Sequence, residues 1–430
     1  MRASSRTVLW IFLAAALVRI LAVAGLQEPP LTGDAPVYDR LAMGLLAGKG
    51  YVTSDGHPTA ERPPLYAMFL AAIFWFFGHR LDAVYVIQGL IDAGSCALIY
   101  LVGARVMGPA PGLLAGLLAV PYLSLIAATR MVLTETLFVF LMLVAFWFLL
   151  ESLERPRTFA LAACGAALGL ATLTRGTSLL FPIACALAFV KTWRLPDTIK
   201  RWSILALSYV LVLLPWTMRN WHTFHIVVPV ATQGGKVLYA SYLPPEGKLF
   251  GKFPQDAAMA YAKTRLSETA GSRFLVRKTL EYVADRPQVL PKLLLLKLGF
   301  FFVPFDWELF GVGQGVWNAT YVLIVPFTMI GMWAARSSGG LSKWLWLILG
   351  YFLFMSLVFY GSPRMRLPVE PSFLIWAGVG VHWLVRRYDG RLFRVALATG
   401  TYSTANVALM CHSQAVKPVL AEALRRVGLW

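Results

Sequence analysis

Residues 137–150 read LFVFLMLVAFWFLL, and Trp147 is the only side chain in this stretch that carries a polar atom. A helix of this length that is apolar on every side belongs in lipid rather than in a soluble core. The composition agrees, because 58% of the 430 residues are hydrophobic, only 14% are charged, and the mean hydropathy is +0.65. Soluble domains carry about 25% charged residues. The sequence therefore predicts an integral membrane protein with many spans.

Similar apolar runs recur along the chain, and a spanning helix needs about twenty such residues. On this criterion the sequence predicts about ten spans in an all-helical bundle. The predicted spans are 7–26, 82–104, 110–129, 131–150, 158–174, 176–191, 202–218, 316–334, 343–360 and 368–385. Arg2 and Arg6 precede the first run, and no convincing small-residue cleavage site follows it. We therefore interpret it as an uncleaved helix whose N-terminus lies inside.

The excess of basic residues supports this topology. The formal charge is +18, from 39 Lys and Arg against 21 Asp and Glu. An inside N-terminus places the following basic residues in the cytoplasm, as the positive-inside rule requires: Arg105, Arg155, Arg157, Lys191, Arg194, Lys200, Arg201, Arg336, Lys343, Arg386, Arg387, Arg391 and Arg394. Zinc-ligand spacing, a basic helix and a single-strand binding module are all missing from the sequence, which argues against a nucleic-acid partner.

This topology organises the chain as one multispanning domain, 1–385, followed by a cytoplasmic tail, 386–430. Its two sizeable outer loops are 27–80 and 219–315. In the first loop, apolar residues from Tyr38 to Leu46 repeat at helical spacing, which predicts an amphipathic helix along the membrane surface.

Two further apolar segments, 63–77 and 291–303, are short for a span. If either alone crossed the membrane, the charge bias of every later loop would invert. We therefore predict that both are interfacial or re-entrant helices at the outer face.

Charged side chains near the bilayer are costly, so those at the predicted outer edge are informative. They are Asp34, Glu61, Arg62, Arg130, Glu135, Arg175, Arg364 and Arg366. Several of these arginines go against the positive-inside tendency, which indicates that a ligand or partner on that face compensates them.

Five segments in order along the chain resemble one family. They are GDAPVYDRLAMGLLAGKGYVTSDGHPTAERPPLYAMFLA (33–71), MVLTETLFVF (131–140), LGLATLTRGTSLLFP (168–182), LLPWTMRNW (213–221) and GSPRMRLPVEPSFLIWAG (361–378). They resemble the protein O-mannosyltransferases of glycosyltransferase family 39 and their bacterial relatives, including the lipid A aminoarabinose transferases. The resemblance implies a type C glycosyltransferase fold and a sugar donor carried on polyprenyl phosphate at the outer face.

The resemblance also implies roles for particular residues. Asp34 matches the family's catalytic acid, Glu135 matches its second acidic position, and Glu61 with Arg62 matches an acid–base pair before proline. One departure is that Ala35 stands where the mannosyltransferases have a second acid, which argues against protein mannosylation.

The chemistry of the residue types agrees with these roles. Transfer from a sugar phosphate needs a base for the acceptor hydroxyl, and Asp34 could supply it. The leaving lipid phosphate needs positive charge, for which Arg62, Arg364 and Arg366 are candidates. A single displacement would invert the anomeric carbon. Tyr38 and Tyr66 are expected to line the sugar site.

The sequence requires no cofactor, and a divalent metal stays open. His222 and His225 have a spacing that a metal could use, although this spacing is a weak signal.

Structural roles stay open beside the functional ones. Asp34 could cap the surface helix, and Glu135 could serve only the helix dipole. Arg62, Arg364 and Arg366 could be interfacial anchors, and Arg130 and Arg175 are expected to be anchors or partners of Glu135. Within the spans, Arg19 and Asp92 should face the bundle interior and find polar partners.

Three other functions remain as alternatives: a lipid-linked sugar flippase or other transporter, a ligase for whole lipid-linked glycans, and a non-catalytic assembly subunit. Transporters often contain inverted repeats and helices broken near the midplane, whereas here no repeat is evident and the charges cluster at one face. The acceptor could be a glycan, a lipid or a protein, and the lack of a large soluble domain favours the first two. The expected location is the bacterial inner membrane, with the site facing the periplasm.

Overall fold

The apolar runs of the sequence form helices in the computed structural model, which describes residues 4–26, 28–29, 31–242, 256–306, 316–336 and 339–388. The helices are α1 (Ser5–Gly25), α2 (Ala35–Leu46), α3 (Leu65–Phe77), α4 (Leu81–Met107), α5 (Pro109–Ala119), α6 (Leu123–Thr129), α7 (Glu135–Glu154), α8 (Thr158–Thr174), α9 (Phe181–Val190), α10 (Leu195–Phe224), α11 (Gly234–Tyr242), α12 (Ala257–Thr264), α13 (Glu268–Asp285), α14 (Val289–Phe302), α15 (Ala319–Ala334), α16 (Trp344–Val358), α17 (Pro363–Arg366) and α18 (Glu370–Arg387). Two short antiparallel strands, β1 (Phe305–Asp306) and β2 (Val316–Trp317), pair with each other. Nearly all of the predicted tail lies outside the described residues.

Each predicted span coincides with a helix or a pair of helices. Among the described residues, five helical segments are long and apolar enough to cross a membrane: α1, α4, α7, α10 and 340–358. A sixth is added if the bent pair α5 and α6 forms one span. Shorter apolar helices cover three more predicted spans, and α18 covers the last. The protein is therefore a multi-pass membrane protein, while the figure of ten spans stays a prediction.

The predicted span 110–129 is broken rather than continuous. α5 and α6 meet at an angle of 51°, and Pro121 lies in the gap between them. Proline has no backbone N–H and clashes with the preceding turn, so it interrupts helices. The break leaves the carbonyl groups of Ala119 and Val120 available to other donors.

The first outer loop contains two helices, as predicted. α2 buries Tyr38, Leu41 and Ala42, and the chain turns after it at Gly48 and Gly50, whose φ angles are 68° and 79°. α3 has 13 residues, which is a length of about 20 Å and too short to cross the hydrocarbon core. α14, with 14 residues, has nearly the same length.

Small residues let the main helices approach closely. α4 packs against α1, α5 and α7, while α18 packs against α5 and α15. At Gly331 of α15, an added Cβ would lie 1.8 Å from the carbonyl oxygen of Trp376 in α18. This backbone approach requires glycine, as is common where membrane helices pack.

The two charges predicted to face the bundle interior pair with each other. Arg19 of α1 lies 2.8 Å from Asp92 of α4, and both side chains are almost fully buried. Arg19 also donates to the carbonyl oxygens of Ala119, at 3.2 Å, and Val120. It therefore donates to the two carbonyl groups that directly precede Pro121 at the break.

Asp92→Ala is expected to destabilise the protein by about 3–5 kcal/mol, because it leaves the charge of Arg19 buried without its carboxylate partner. Thermal unfolding in detergent measures the loss. Asp82→Ala is the matched control on the same helix, since Asp82 pairs with Arg80 at an exposed position and exposed ion pairs contribute little to stability. Equal shifts for the two variants would contradict the structural role of the buried pair.

Candidate functional site

Four of the predicted site residues meet at one end of the helix bundle. Asp34 directly precedes α2, Arg62 precedes α3, Glu135 begins α7, and Arg364 lies in α17. The opposite end of α7 carries Glu151 and Glu154, which pair with Arg105 at the end of α4. If Arg105 faces the cytoplasm as predicted, the four site residues therefore lie at the outer face.

Asp34 is held by two arginines. Its Oδ1 lies 2.8 Å from Nη2 of Arg62, and its Oδ2 accepts a hydrogen bond of 3.0 Å from Nη1 of Arg364. The side chain makes no capping hydrogen bond to α2, although Asp34 stands at the N-cap position. Helix capping therefore does not account for this aspartate.

Glu135 shares Arg364 with Asp34. Arg364 donates through Nε to Glu135, and Arg175 donates to the same carboxylate at 2.6 Å. The hydroxyl of Thr134 donates to its other oxygen at 3.3 Å. Glu135 is only 1% exposed. The five charged residues thus form an ion-pair chain in the order Arg62, Asp34, Arg364, Glu135 and Arg175, which carries one more positive than negative charge.

Arg62 has a second partner in the other outer loop. Its Nη1 donates to Oε1 of Gln233 at 2.5 Å. The side chain is about nine-tenths buried, and its Nε has no hydrogen-bond acceptor among the described residues. Buried donors are normally paired, so this group is available to a ligand.

A cavity of about 240 Å³ opens beside the ion-pair chain. Its lining includes five charged or hydroxyl-bearing residues: Asp34, Tyr38, Arg62, Arg175 and Arg364. It also includes several large apolar or aromatic residues: Leu179, Val230, Val237, Phe359 and Tyr360. The cavity therefore combines cationic groups that suit an anion with apolar surface.

The protonation states of Asp34 and Tyr38 follow from their surroundings. Burial disfavours the charged form of Asp34, but Arg364 and Arg62 outweigh this effect and hold the pKa of its carboxyl below the usual value. Asp34 is therefore ionised at neutral pH. Burial raises the pKa of Tyr38 to about 12, so its hydroxyl stays neutral and can donate a hydrogen bond.

Two other predicted residues, Tyr66 and Glu61, do not line the cavity. Tyr66 is fully buried, donates to Gln88 at 2.9 Å, and meets the ring of Tyr38 edge to face at 5.1 Å. Glu61 lies 3.1 Å from Lys236 of α11. These contacts make Tyr66 a support for Tyr38, and they make Glu61 a link between the two outer loops.

Arg366 is placed away from the cavity, in a separate buried site. It lies 2.9 Å from Glu370 and donates to the carbonyl oxygens of Phe301 and Val303 at 2.9 and 2.8 Å. Residues two positions apart on a helix point to nearly opposite sides, so Arg364 and Arg366 cannot both face the cavity. The expected contact between Arg366 and substrate is therefore replaced by a structural role at the end of α14.

Two residues with side chains able to bind a polar ligand, Arg175 and Gln233, line the cavity without a predicted substrate role. Arg175 was expected to be an anchor or a partner of Glu135; it is that partner, and it also lines the cavity. Its signal in the sequence was an arginine at the outer end of an apolar span. Gln233 was not predicted, because a neutral residue in a long loop gives no signal from one sequence.

A divalent metal does not fit this arrangement. Arginines engage both carboxylate oxygens of Asp34 and Oε1 of Glu135, and the hydroxyl of Thr134 donates to Oε2 of Glu135. Within the described part of the chain, no group of three or more His, Cys, Asp or Glu side chains could hold a metal ion.

Comparisons with known proteins give a family match and a shared fold. Residues 61–218 match the family model described as dolichyl-phosphate-mannose-protein mannosyltransferase. A search of curated proteins found no match. The family match agrees with the resemblance carried by the sequence motifs, and the chain also resembles two solved membrane proteins.

The first solved structure is ArnT from Cupriavidus metallidurans bound to undecaprenyl phosphate, with 16% identity, coverage of 90% of this chain and 80% of that chain, and a TM-score of 0.42. The second is the oligosaccharyltransferase of Archaeoglobus fulgidus in complex with Zn and sulfate. It has 13% identity, coverage of 92% of this chain and 52% of that chain, and a TM-score of 0.54. This chain spans about half the length of the archaeal protein, and the likeness between them confirms the predicted fold class, a type C glycosyltransferase-like bundle.

Proposed function

We propose that the protein is a glycosyltransferase that moves a sugar from a polyprenyl-phosphate carrier to an acceptor hydroxyl at the outer face of the membrane. The observation that carries this proposal is the ion-pair chain beside the cavity, in which Asp34 stands between Arg62 and Arg364. A base and phosphate-binding cations in one cavity are what such a transfer requires. The family match and the fold support the same chemistry.

The arginines would hold the carrier phosphate. Arg62, Arg175 and Arg364 all line the cavity, and the unpaired Nε of Arg62 offers a donor to a phosphate oxygen. Planar guanidinium groups bind phosphate through paired hydrogen bonds. As the bond from the sugar to the phosphate breaks, these groups would stabilise the negative charge that develops on the leaving phosphate.

The size of the cavity favours a donor with a single sugar. Its volume of about 240 Å³ lies below the range of about 300–1,000 Å³ that is usual for small-molecule sites. A whole lipid-linked glycan would have to extend beyond the cavity. We therefore propose a donor that carries a single sugar.

Asp34 would act as the base once the donor is bound. In the free protein both of its oxygens are engaged by arginine, which makes it a weak base. A bound phosphate competes for Arg62 and Arg364, and this competition would free a carboxylate oxygen and raise the pKa of Asp34. The freed oxygen would accept the proton of the acceptor hydroxyl, and a direct attack on the anomeric carbon would invert its configuration.

Glu135 would act indirectly. Its carboxylate is buried behind Arg364 and Arg175, so it holds both cations in place and does not touch substrate. Tyr38, supported by Tyr66, would line the sugar site. The predicted location is the bacterial inner membrane with the cavity facing the periplasm, and the proposed acceptor is a glycan or a lipid.

A transfer assay tests the proposal directly. Purified protein in detergent is incubated with a panel of undecaprenyl-phosphate sugars and candidate acceptors, and release of free undecaprenyl phosphate is measured together with glycosylated product. We expect at least one donor to release its carrier in an acceptor-dependent way. Binding without any transfer, combined with translocation of a lipid-linked sugar in proteoliposomes, would replace the proposal by the flippase alternative.

A further inference from the structure

The segment that carries Arg62 is held by an acid from the second outer loop. We define residues 59–63 as the Arg62 strap. Glu268, the first residue of α13, accepts hydrogen bonds from the strap at two points: the hydroxyl of Thr59 at 2.6 Å and the backbone N–H of Ala60 at 3.0 Å. More than two hundred positions separate this acid from the strap in the sequence.

The same carboxylate also holds the segment that carries Gln233. Oε1 of Glu268 accepts a hydrogen bond of 2.5 Å from the hydroxyl of Thr232. The N–H of Thr232 in turn donates to the carbonyl of Ala60 at 2.9 Å. Gln233 is the neighbour of Thr232 and the partner of Arg62. One carboxylate therefore joins the two backbone segments that position the guanidinium of Arg62.

The other side of the strap is held by α10 and by Tyr51. Arg219 donates to the carbonyl oxygens of Thr59 and Tyr51 at 2.7 and 3.0 Å. The hydroxyl of Tyr51 lies 3.2 and 3.1 Å from the carbonyl oxygens of Arg62 and Pro63. The strap is thus fixed at its backbone from two sides, and Glu268 supplies the contact on the side of the second outer loop.

α13 packs closely against α11. An added Cβ at Gly235 of α11 would lie 2.1 Å from the carbonyl oxygen of Ser272 in α13. α11 begins at Gly234, which lines the cavity. Because α11 and α13 touch through their backbones, Glu268 is a fixed point from which the strap can be positioned.

We propose that Glu268 is a positioning residue that sets the placement of Arg62 in the cavity. Through Glu268, the second outer loop holds in place the guanidinium of Arg62, which belongs to the first outer loop and binds the phosphate. The proposal rests on the proposed function only in taking the carrier phosphate as the ligand of Arg62. Charge-assisted hydrogen bonds to a carboxylate are strong, and removal of Glu268 leaves three donors without their acceptor.

The experiment compares full-length wild type with Glu268→Ala, Arg62→Ala and the double variant in detergent. Binding of undecaprenyl phosphate is measured by titration, and hydrogen exchange of the strap amides is followed by mass spectrometry without ligand. We expect Glu268→Ala to speed exchange in residues 59–63 and to weaken binding about tenfold. In the Arg62→Ala background, Glu268→Ala should weaken binding no further, because its effect acts through Arg62.

Controls separate positioning from general damage. Glu281→Ala changes an exposed acid on the same helix and should alter neither measurement. Glu268→Gln keeps one acceptor and should restore part of the affinity. Additive losses in the double variant, or unchanged exchange in the strap, would overturn the proposal. If wild type does not bind undecaprenyl phosphate, the proposed function fails, and the exchange measurement alone decides whether Glu268 orders the strap.

Discussion

Asp34→Asn is expected to lower the rate of sugar transfer by at least about 100-fold, the lower end of what general-base catalysis contributes. The amide keeps the shape of the carboxylate but cannot take the proton of the acceptor hydroxyl. Donor binding should be unchanged or tighter, because the variant removes a negative charge that competes with the phosphate for Arg62 and Arg364. The measurements are single-turnover transfer and equilibrium binding of the same undecaprenyl-phosphate sugar.

Asp39→Asn is the matched control, because Asp39 lies on α2, the helix that Asp34 directly precedes, and pairs with His79 away from the cavity. It should transfer at the rate of wild type. Transfer by Asp34→Asn at the wild-type rate would remove Asp34 from the role of base. Loss of binding in that variant would make Asp34 a binding residue instead.

The spans were largely predictable because an apolar run of about twenty residues can satisfy its backbone groups in lipid only as a helix. The span predicted at 158–174 coincides with α8, and the helix predicted from Tyr38 to Leu46 lies within α2. The break between α5 and α6 was not predicted, although Pro121 marks it in the sequence. A twenty-residue hydropathy window averages over one proline, so only the local rule that proline interrupts helices would have located the bend.

The site was predictable at the positions where charged side chains lie at the predicted edge of the bilayer. Asp34, Arg62, Glu135 and Arg364 were selected because charged side chains near the bilayer are costly, and all four meet in the ion-pair chain. Arg366 is close to Arg364 in the sequence, and a phosphate contact is therefore predicted for both. The prediction for Arg366 is wrong because side chains two positions apart on a helix point in nearly opposite directions. The pairing of particular partners could not be predicted, since it depends on how distant helix ends come together.

Glu268 marks the limit of reasoning from one sequence. An acid at the start of a helix is ordinary, because it interacts favourably with the helix dipole, so its position alone predicts no function. Its contacts with Thr59 and Thr232 depend on the packing of α11 against α13. Residues that act through backbone segments of another loop carry no local pattern, and only the folded structure reveals them.

Arg364→Ala is expected to weaken binding of undecaprenyl phosphate about 100-fold and to lower transfer further, because truncating one partner of a buried charge pair costs at least about 2–3 kcal/mol. Arg364 contacts both Asp34 and Glu135. Its removal leaves the two carboxylates in one buried cluster with less positive charge, and this repels an anionic donor. Titration with undecaprenyl phosphate and the transfer assay measure the two effects.

Arg364→Lys separates charge from geometry. Lysine keeps the positive charge but cannot bind two carboxylates through a planar fork, so it should restore part of the binding and little of the transfer. Arg80→Ala, which removes an exposed arginine, should change neither. Full activity in Arg364→Lys would mean that charge alone is needed at this position. Among the arginines of the ion-pair chain in the described residues, only Arg364 contacts both acids. If Arg364→Lys loses more transfer than binding, then Arg364 contributes to the reaction itself by orienting Asp34.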